Sequence, residues 1–538
     1  NLFKDLNRKD DAVKSYENAL SINPNFAEAY FNLGVIHKQE NKIDKAISYF
    51  DNALLLDPNF SEAQNNLGIS FTLIGQITEA IKCYEKAIKI NPKYAEAHKN
   101  LGFNLMISGN IESAASCFQK AIEIDPEYAE AYKNLGNIFK KLKQFDKAMP
   151  FYEQAYELKP EMEFLLGDKL NNYMNLCEWD NLGNKLKDLK SKIMSNEKVI
   201  GPFSLLGLID EPLLQKKASE TFVNFYYPRN NSLSKISLYN KHVKIRIGYF
   251  SSDFKSHPVG LLTAGLYELH NREGFEIHAF SFGPNTNDEV NLRIKAGVDN
   301  FHDVESMSHK EIVLLSRSLE IDIAIDLGGF TAKSRTSIFA MSVAPIQLSY
   351  LGYLGTMGAD YYDYIIADAI MIPKKSQKYY SEKIVYLPNF QVNDSKDLPP
   401  EIIFSRQEHG LPDKSFVFCS FNNTFKLTPS TFDSWARILS HVEGSILMVF
   451  VNSELSQINL TKELVGRGIS AKRIIFSKRL DRPEYLARYK LADLFLDTHP
   501  YNAGTTASDA LKMGLPMITM KGKSYQARMG ASIVNSVG

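Results

Sequence analysis

Four copies of one 34-residue phrase begin at Ala27, Ser61, Ala95 and Ala129 and follow one another without insertions to about residue 160. Leu-Gly recurs at Leu33-Gly34, Leu67-Gly68, Leu101-Gly102 and Leu135-Gly136. Small residues recur at Ala46, Ala80, Ala114 and Ala148, and again at Ala53, Ala87, Ala121 and Ala155. An aromatic stands between them at Phe50, Tyr84, Phe118 and Tyr152, and a proline closes each unit at Pro24, Pro58, Pro92, Pro126 and Pro160. A fixed period of this length cannot bury its apolar face in one unit; it must stack into a solenoid. Small residues let the paired helices of a unit approach, the aromatics are expected to fill the space between units, and proline stops the second helix.

Period and pattern are those of a tetratricopeptide (TPR) array, with a shortened fifth unit at 1–26. One asparagine recurs on the first helix of each unit: Asn32, Asn66, Asn100 and Asn134. Such arrays present a groove that binds polypeptide, so what the array is joined to decides function.

Residues 161–240 read as helical but lose the period, and serve as a capping and linking segment. From residue 241 short runs rich in Val, Ile, Phe and Tyr alternate with helical stretches: 245–250, 277–282, 321–327, 346–351, 364–367 and 384–387, then 416–421, 446–451, 473–476, 494–496 and 517–520. Buried strands separated by helices predict parallel, doubly wound sheets. A polar stretch at 389–408 with Pro399-Pro400 divides two α/β lobes, 241–395 and 396–538, the second of which reads as cut short. The chain begins inside a repeat, at Asn1, so it reads as a piece of a longer protein.

Formal net charge is zero over 538 residues, which disfavours nucleic acid or an anionic membrane as the main partner. No apolar run reaches membrane-spanning length. Cys83, Cys117, Cys177 and Cys419 have no metal-binding spacing, and read as thiols of a reducing, cytoplasmic compartment. Neither lobe carries GxGxxG or GxxxxGK[ST], which removes a nicotinamide enzyme and a P-loop kinase.

Two such lobes form a cleft at the carboxyl ends of their strands, where ligands bind. Residues 501–509 (YNAGTTASD) pass from a strand into a helix, so Thr505 and Thr506 stand at a helix N-terminus that suits phosphate or simply caps the helix. Asp509, one turn in, can accept hydrogen bonds from a ribose. Lys426, in 421–429 (FNNTFKLTP), pairs with a diphosphate or is solvated. His257, in 251–258 (SSDFKSHP), is a loop histidine able to act as a base or to orient a hydroxyl. The glycine-rich 352–358 (GYLGTMG) either approaches a ligand or only turns.

In chain order the TPR array is followed by SSDFKSHP, DLGGFT, 344–368, 380–388, 421–439 and 491–516. That order resembles the protein O-linked N-acetylglucosamine transferases, with their bacterial members and the plant SPINDLY proteins. The resemblance implies a GT-B fold of two Rossmann-like lobes and inverting, metal-independent transfer from a nucleotide sugar to Ser or Thr. It implies no cofactor beyond that donor. By the same resemblance, Lys426 contacts the donor diphosphate beside Asn423, and Thr505 and Thr506 bind phosphate. Asp509 binds ribose, Arg488 lies near the nucleotide base, Gly355 and Thr356 belong to a donor-side loop, and His257 is the active-site histidine. Asn32, Asn66, Asn100 and Asn134 would grip acceptor backbone in the groove, an amide being both donor and acceptor. Tyr485 stands where the animal enzymes stack a histidine on the base, and Gly504 replaces the histidine before the threonine pair. UDP-GlcNAc is the expected donor. GDP-fucose, as in SPINDLY proteins, and a scaffold with inactive lobes are the alternatives, and homo-oligomerisation is left open.

Overall fold

The computed structural model describes residues 9–240 and 242–538; the start of the shortened first repeat, residues 1–8, lies outside them. The chain divides into two compact units, Asn1–Glu161 and Met162–Gly538.

In the first unit each repeat is a helix pair, such as Ser61–Leu73 with Ile77–Ile90 and Ala95–Ile107 with Ile111–Ile124. The recurring Leu-Gly has a steric reason. A Cβ on Gly68 would lie 2.7 Å from the Tyr84 ring, and one on Gly34 2.6 Å from Phe50. Each ring therefore packs closely on the glycine of its own pair, and it also fills the space between units as expected, Phe50 sharing a core with Leu67, Tyr84 with Leu101 and Phe118 with Leu135 of the following repeat. The small residues behave as expected: Ala46, Ala80, Ala114 and Ala148 are fully buried. First helices of successive repeats touch one another, Ala27–Gln39 with Ser61–Leu73 and Ser61–Leu73 with Ala95–Ile107, while each second helix packs chiefly on its own first helix and, to a lesser extent, on the next one. The closer approach of the first helices sets them on the inner side of the curve.

In the second unit four helices, Leu165–Leu176, Leu182–Met194, Pro202–Leu206 and Pro212–Tyr226, precede the first strand. They pack on the last third of the chain: Trp179 meets Phe432 edge to face, and the Asn175 carbonyl accepts from Thr424 Oγ1 (2.8 Å) and Ser456 Oγ (3.1 Å).

The strands of the first lobe are β1 (Ile245–Ser251), β2 (Phe275–Ser281), β3 (Asn300–Asp303), β4 (Ile323–Asp326), β5 (Ile346–Ser349), β6 (Tyr364–Ala367) and β7 (Lys383–Tyr386). Those of the second are β8 (Val417–Ser420), β9 (Ile446–Phe450), β10 (Ile474–Ser477), β11 (Leu494–Leu496) and β12 (Met517–Ile518). Among the described residues the orders are β3-β2-β1-β4-β5-β6-β7 and β10-β9-β8-β11-β12, all pairs parallel. β3 is absent from the sequence reading: Asn300-Phe301-His302-Asp303 is a short, mostly polar edge strand with no apolar run to mark it. The order in which strands are added reverses once in each sheet, between β1 and β4 and between β8 and β11. Such switch points open a crevice beyond the strand ends.

Candidate active site

The loops that leave the four switch-point strands meet at one cavity of about 610 Å³. After β1 come Asp253, Lys255 and His257; after β4, Thr331 and Lys333. After β8 come Asn422, Asn423 and Lys426; after β11, Tyr501, Gly504, Thr505 and Thr506. His257, Asn423, Lys426, Thr505 and Thr506 are thus brought together from positions far apart in the chain.

Lys426 closes a single 3₁₀ turn, Thr424–Lys426, held from behind by the Thr424 bond to Asn175. Its half-buried ammonium donates to the Asn502 carbonyl at 3.1 Å and lies 4.0 Å from the centre of the Tyr501 ring. Burial pulls its pKa down, and the carboxylate of Asp497 works against that shift. Opposite it begins the helix Thr505–Lys512, capped at Gly504. Thr506 Oγ1 donates to Asn422 Oδ1 at 2.9 Å, which fixes that hydroxyl at the helix entrance. Free N–H groups of a first turn, a helix dipole and an ammonium therefore face the same space, a set suited to an anion such as a diphosphate.

On the other wall His257 caps the helix Pro258–Glu268: its Nδ1 accepts from the Val259 N–H at 3.4 Å and lies 3.6 Å from Asp253 Oδ2. Burial lowers its pKa, with Asp253 opposing, so the ring is neutral near pH 7. With Nδ1 accepting, the neutral ring carries its proton on Nε2.

Other residues named from the sequence do not line this cavity. Thr356 is 3 % exposed, and its hydroxyl donates to buried Glu382 at 2.6 Å and accepts from the N–H groups of Gly358 and Ser381. Gly355 packs under the Tyr353 ring, where a Cβ would meet the phenol oxygen at 2.7 Å. That loop meets the cavity through Gly352 and Leu354, while Gly355 and Thr356 turn away and brace the first lobe. Arg488 is 1 % exposed, bonded to Ser477 Oγ and the Lys478 carbonyl, with its guanidinium 3.8 Å from the Phe421 ring centre. Asp509 turns from the cavity to Arg482 (3.0 Å), which also holds Asp397 of the interlobe segment. In each case the residue type was legible and its direction was not.

Asn422, Tyr501, Asp253 and Gln391 line the cavity and were not singled out. Asn422 is 2 % exposed and adjoins Asn423, so only the fold tells which of two consecutive asparagines faces the threonines.

In the solenoid, Asn66 accepts from Lys38 Nζ (2.6 Å) of the preceding repeat and donates to the Glu62 carbonyl. Asn100 is 8 % exposed and donates to Asn65 Oδ1 at 3.0 Å, and Asn32 donates to the Glu28 carbonyl. Asn134 is half-buried. The row of amides lies on the inner helices, and part of its bonding capacity joins neighbouring repeats.

Among the described residues no group of three His, Cys, Asp or Glu side chains could hold a metal ion, and no helix is long and apolar enough to cross a membrane. The four cysteines are free thiols.

The sequence model described as Glycosyl transferase family 41 matches residues 224–402 and 392–538. Tetratricopeptide repeat models match residues 27–60 and 93–161, among others. A probable UDP-N-acetylglucosamine–peptide N-acetylglucosaminyltransferase SEC of Arabidopsis thaliana is 36 % identical over 301 residues, 55 % of this chain and 31 % of that protein. The Arabidopsis SPINDLY protein, whose name carries the same probable activity, is 30 % identical over 306 residues, 55 % and 33 % of the two chains. A UDP-N-acetylglucosamine–peptide N-acetylglucosaminyltransferase of Caenorhabditis elegans is 27 % identical over 413 residues, 55 % of this chain and 35 % of that one. The chain thus spans about a third of the length of these relatives. The solved structure of a point mutant of the Thermobaculum terrenum O-GlcNAc transferase shares the fold, with a TM-score of 0.62, 24 % identity and coverage of 88 % of this chain and 85 % of that one.

Proposed function

Since the chain belongs to glycosyl transferase family 41, we propose that it is an inverting protein O-glycosyltransferase that moves GlcNAc from UDP-GlcNAc to Ser or Thr of polypeptides recruited by its TPR groove. The observation that carries this reading is the meeting of Lys426, Thr505, Thr506 and Asn422 on one wall of a cavity whose other wall holds His257 and Asp253. In the reaction the acceptor hydroxyl attacks the anomeric carbon, the bond from that carbon to the diphosphate oxygen breaks, and the hydroxyl proton departs. Charge grows on the leaving diphosphate. The ammonium of Lys426 and the N-terminus of the helix Thr505–Lys512 offset it from fixed positions, so no metal is required. The proton leaves toward the wall where neutral His257 and Asp253 stand. We assign the donor-side contacts to Asn423, Lys426, Thr505 and Thr506. Asp509 and Arg488 would reach the nucleoside only by leaving the partners described above.

The setting is taken as cytoplasmic, in keeping with four unpaired thiols. The acceptor is a polypeptide, in keeping with the array of amides on the inner helices. The full chain, incubated with radiolabelled UDP-GlcNAc, GDP-fucose or UDP-glucose and a mixture of intracellular proteins, should transfer label from UDP-GlcNAc. Label arriving from GDP-fucose alone would reassign the donor, and none from any donor would sink the transferase reading.

A further inference from the structure

Asp497 is the first residue after β11 and is 8 % exposed. Its Oδ1 accepts from the backbone N–H of Thr498 and of Ala503, both at 2.7 Å, and its Oδ2 accepts from Thr519 Oγ1 at 2.6 Å. One carboxylate thereby clasps both ends of the loop 498–503. Within the loop Thr498 Oγ1 donates to the Tyr501 carbonyl (2.6 Å), and Asn502 Nδ2 to the Thr498 carbonyl (2.7 Å). The clasp has no slack: a Cβ on Gly530, in the helix behind, would lie 2.4 Å from Asp497 Oδ2.

The loop it closes carries both groups that hold Lys426, the Asn502 carbonyl and the Tyr501 ring, and runs straight into the helix start at Gly504. Among the described residues no cation lies within ion-pair distance of Asp497, so its charge is not spent on a partner of its own. We propose that Asp497 is a positioning residue for the transfer: its carboxylate fixes the loop that seats Lys426 and supplies the counter-charge behind that ammonium. The inference rests on reading the cleft as a nucleotide-sugar site.

The electrostatics agree in sign. Burial pulls Lys426 down and pushes Asp497 up, and each charge opposes the other's shift. The remaining charged groups on the cavity are Asp253, Lys255, His257 and Lys333, all on the opposite wall. Removing the Asp497 charge therefore leaves Lys426 easier to deprotonate.

Asp497→Asn keeps an acceptor for the two N–H groups and deletes the charge; Asp497→Ser is made beside it, so that one folded variant suffices. The readout is the pH dependence of acetylation of Lys426 by acetic anhydride, followed by mass spectrometry of its peptide, because only the neutral amine reacts. The midpoint should fall by about one pH unit, the scale of a lost opposite charge nearby. Thr519→Val loosens the clasp but keeps the charge, and should leave the midpoint where it was. An unchanged midpoint in the folded Asp497 variants, or an equal shift in Thr519→Val, would overturn the proposal. UDP binding by calorimetry is measured in parallel. Wild-type chain that fails to bind UDP at any pH would count against the functional reading, while the acetylation midpoint still judges Asp497.

Discussion

Replacing Lys426 by methionine removes one charge while keeping most of the side-chain volume. Two local contacts are lost, the 3.1 Å bond to the Asn502 carbonyl and the approach to the Tyr501 ring at 4.0 Å. An unpaired buried carbonyl costs about 1–3 kcal/mol and the ring contact is worth about 0.5–2 kcal/mol. Against this stands relief from holding an ammonium that burial already disfavours, so the fold should change by about 1 kcal/mol or less and the melting temperature by a few degrees. Catalysis has no such compensation. An ammonium aimed at charge that develops only as the diphosphate leaves is worth about 2.7–4 kcal/mol, which is about 10² to 10³ in kcat. UDP, which carries much of the same charge in the ground state, should lose about tenfold in affinity. The assay is initial-rate transfer from radiolabelled UDP-GlcNAc, with calorimetric UDP binding and a melting curve on the same preparation. A folded variant within about threefold of wild-type kcat would refute the placement of Lys426 at the leaving group.

Turnover should persist in excess EDTA; a loss that Mg²⁺ or Mn²⁺ restores would contradict charge stabilisation by Lys426 and the helix N-terminus. Alanine at Asn66, Asn100 and Asn134 together should lower turnover of protein acceptors by about tenfold to a hundredfold, at roughly 1 kcal/mol per amide, with little effect on a short peptide; equal losses on both would mark the amides as structural. Gly68→Val drives a side chain into the Tyr84 ring 2.7 Å away and should destabilise the solenoid by about 1–3 kcal/mol in urea unfolding, without altering UDP affinity. Arg293 and Lys396 hold the Glu268 carboxyl at about 2, below its unfolded value, so its contribution is complete above about pH 4.3 and is lost as pH falls toward 2. Glu268→Gln should flatten that acid limb in denaturation curves, and an unchanged limb would remove the ion-pair cluster from acid stability.

How far the sequence could be read depended on whether position or direction was in question. The solenoid was legible because its register repeats: one glycine facing one ring, such as Gly68 and Tyr84, fixes all the others by periodicity. The parallel strands were legible as apolar runs, and β3 was missed because an edge strand with His302 and Asp303 needs no such run. At the cleft, the loops were legible because a strand end followed by a helix places them at the switch point whatever their conformation. Within a loop no periodicity says which side chain turns inward. Hence Thr356, bonded to Glu382, and Arg488, stacked on Phe421, were read as donor contacts, while Asn422 and Asp497 passed unnoticed. Asp497 stands in the ordinary text LDTHP, and its role appears only when Thr498, Ala503 and Thr519 converge on it.

The cleft also shows why two lobes of similar topology do different work. In each lobe the two strands at the switch point end in loops that line the cavity, yet the second lobe gathers an ammonium and a helix N-terminus, and the first a neutral ring beside a carboxylate, with Lys255 and Lys333 on the same wall. A positive wall needs rigidity, since stabilising charge at the moment of bond breaking requires donors already in place. The second lobe has it: the turn that carries Lys426 is braced by Thr424 on Asn175, and the ammonium is seated on the loop that Asp497 closes. The first-lobe wall needs access more than rigidity, because an acceptor hydroxyl must enter and a proton must leave. There His257 is partly exposed and held by one long bond of 3.4 Å. The polarity of the cleft, from a wall that can take a proton to a wall that can take a diphosphate, follows the direction in which the transfer proposed here moves charge.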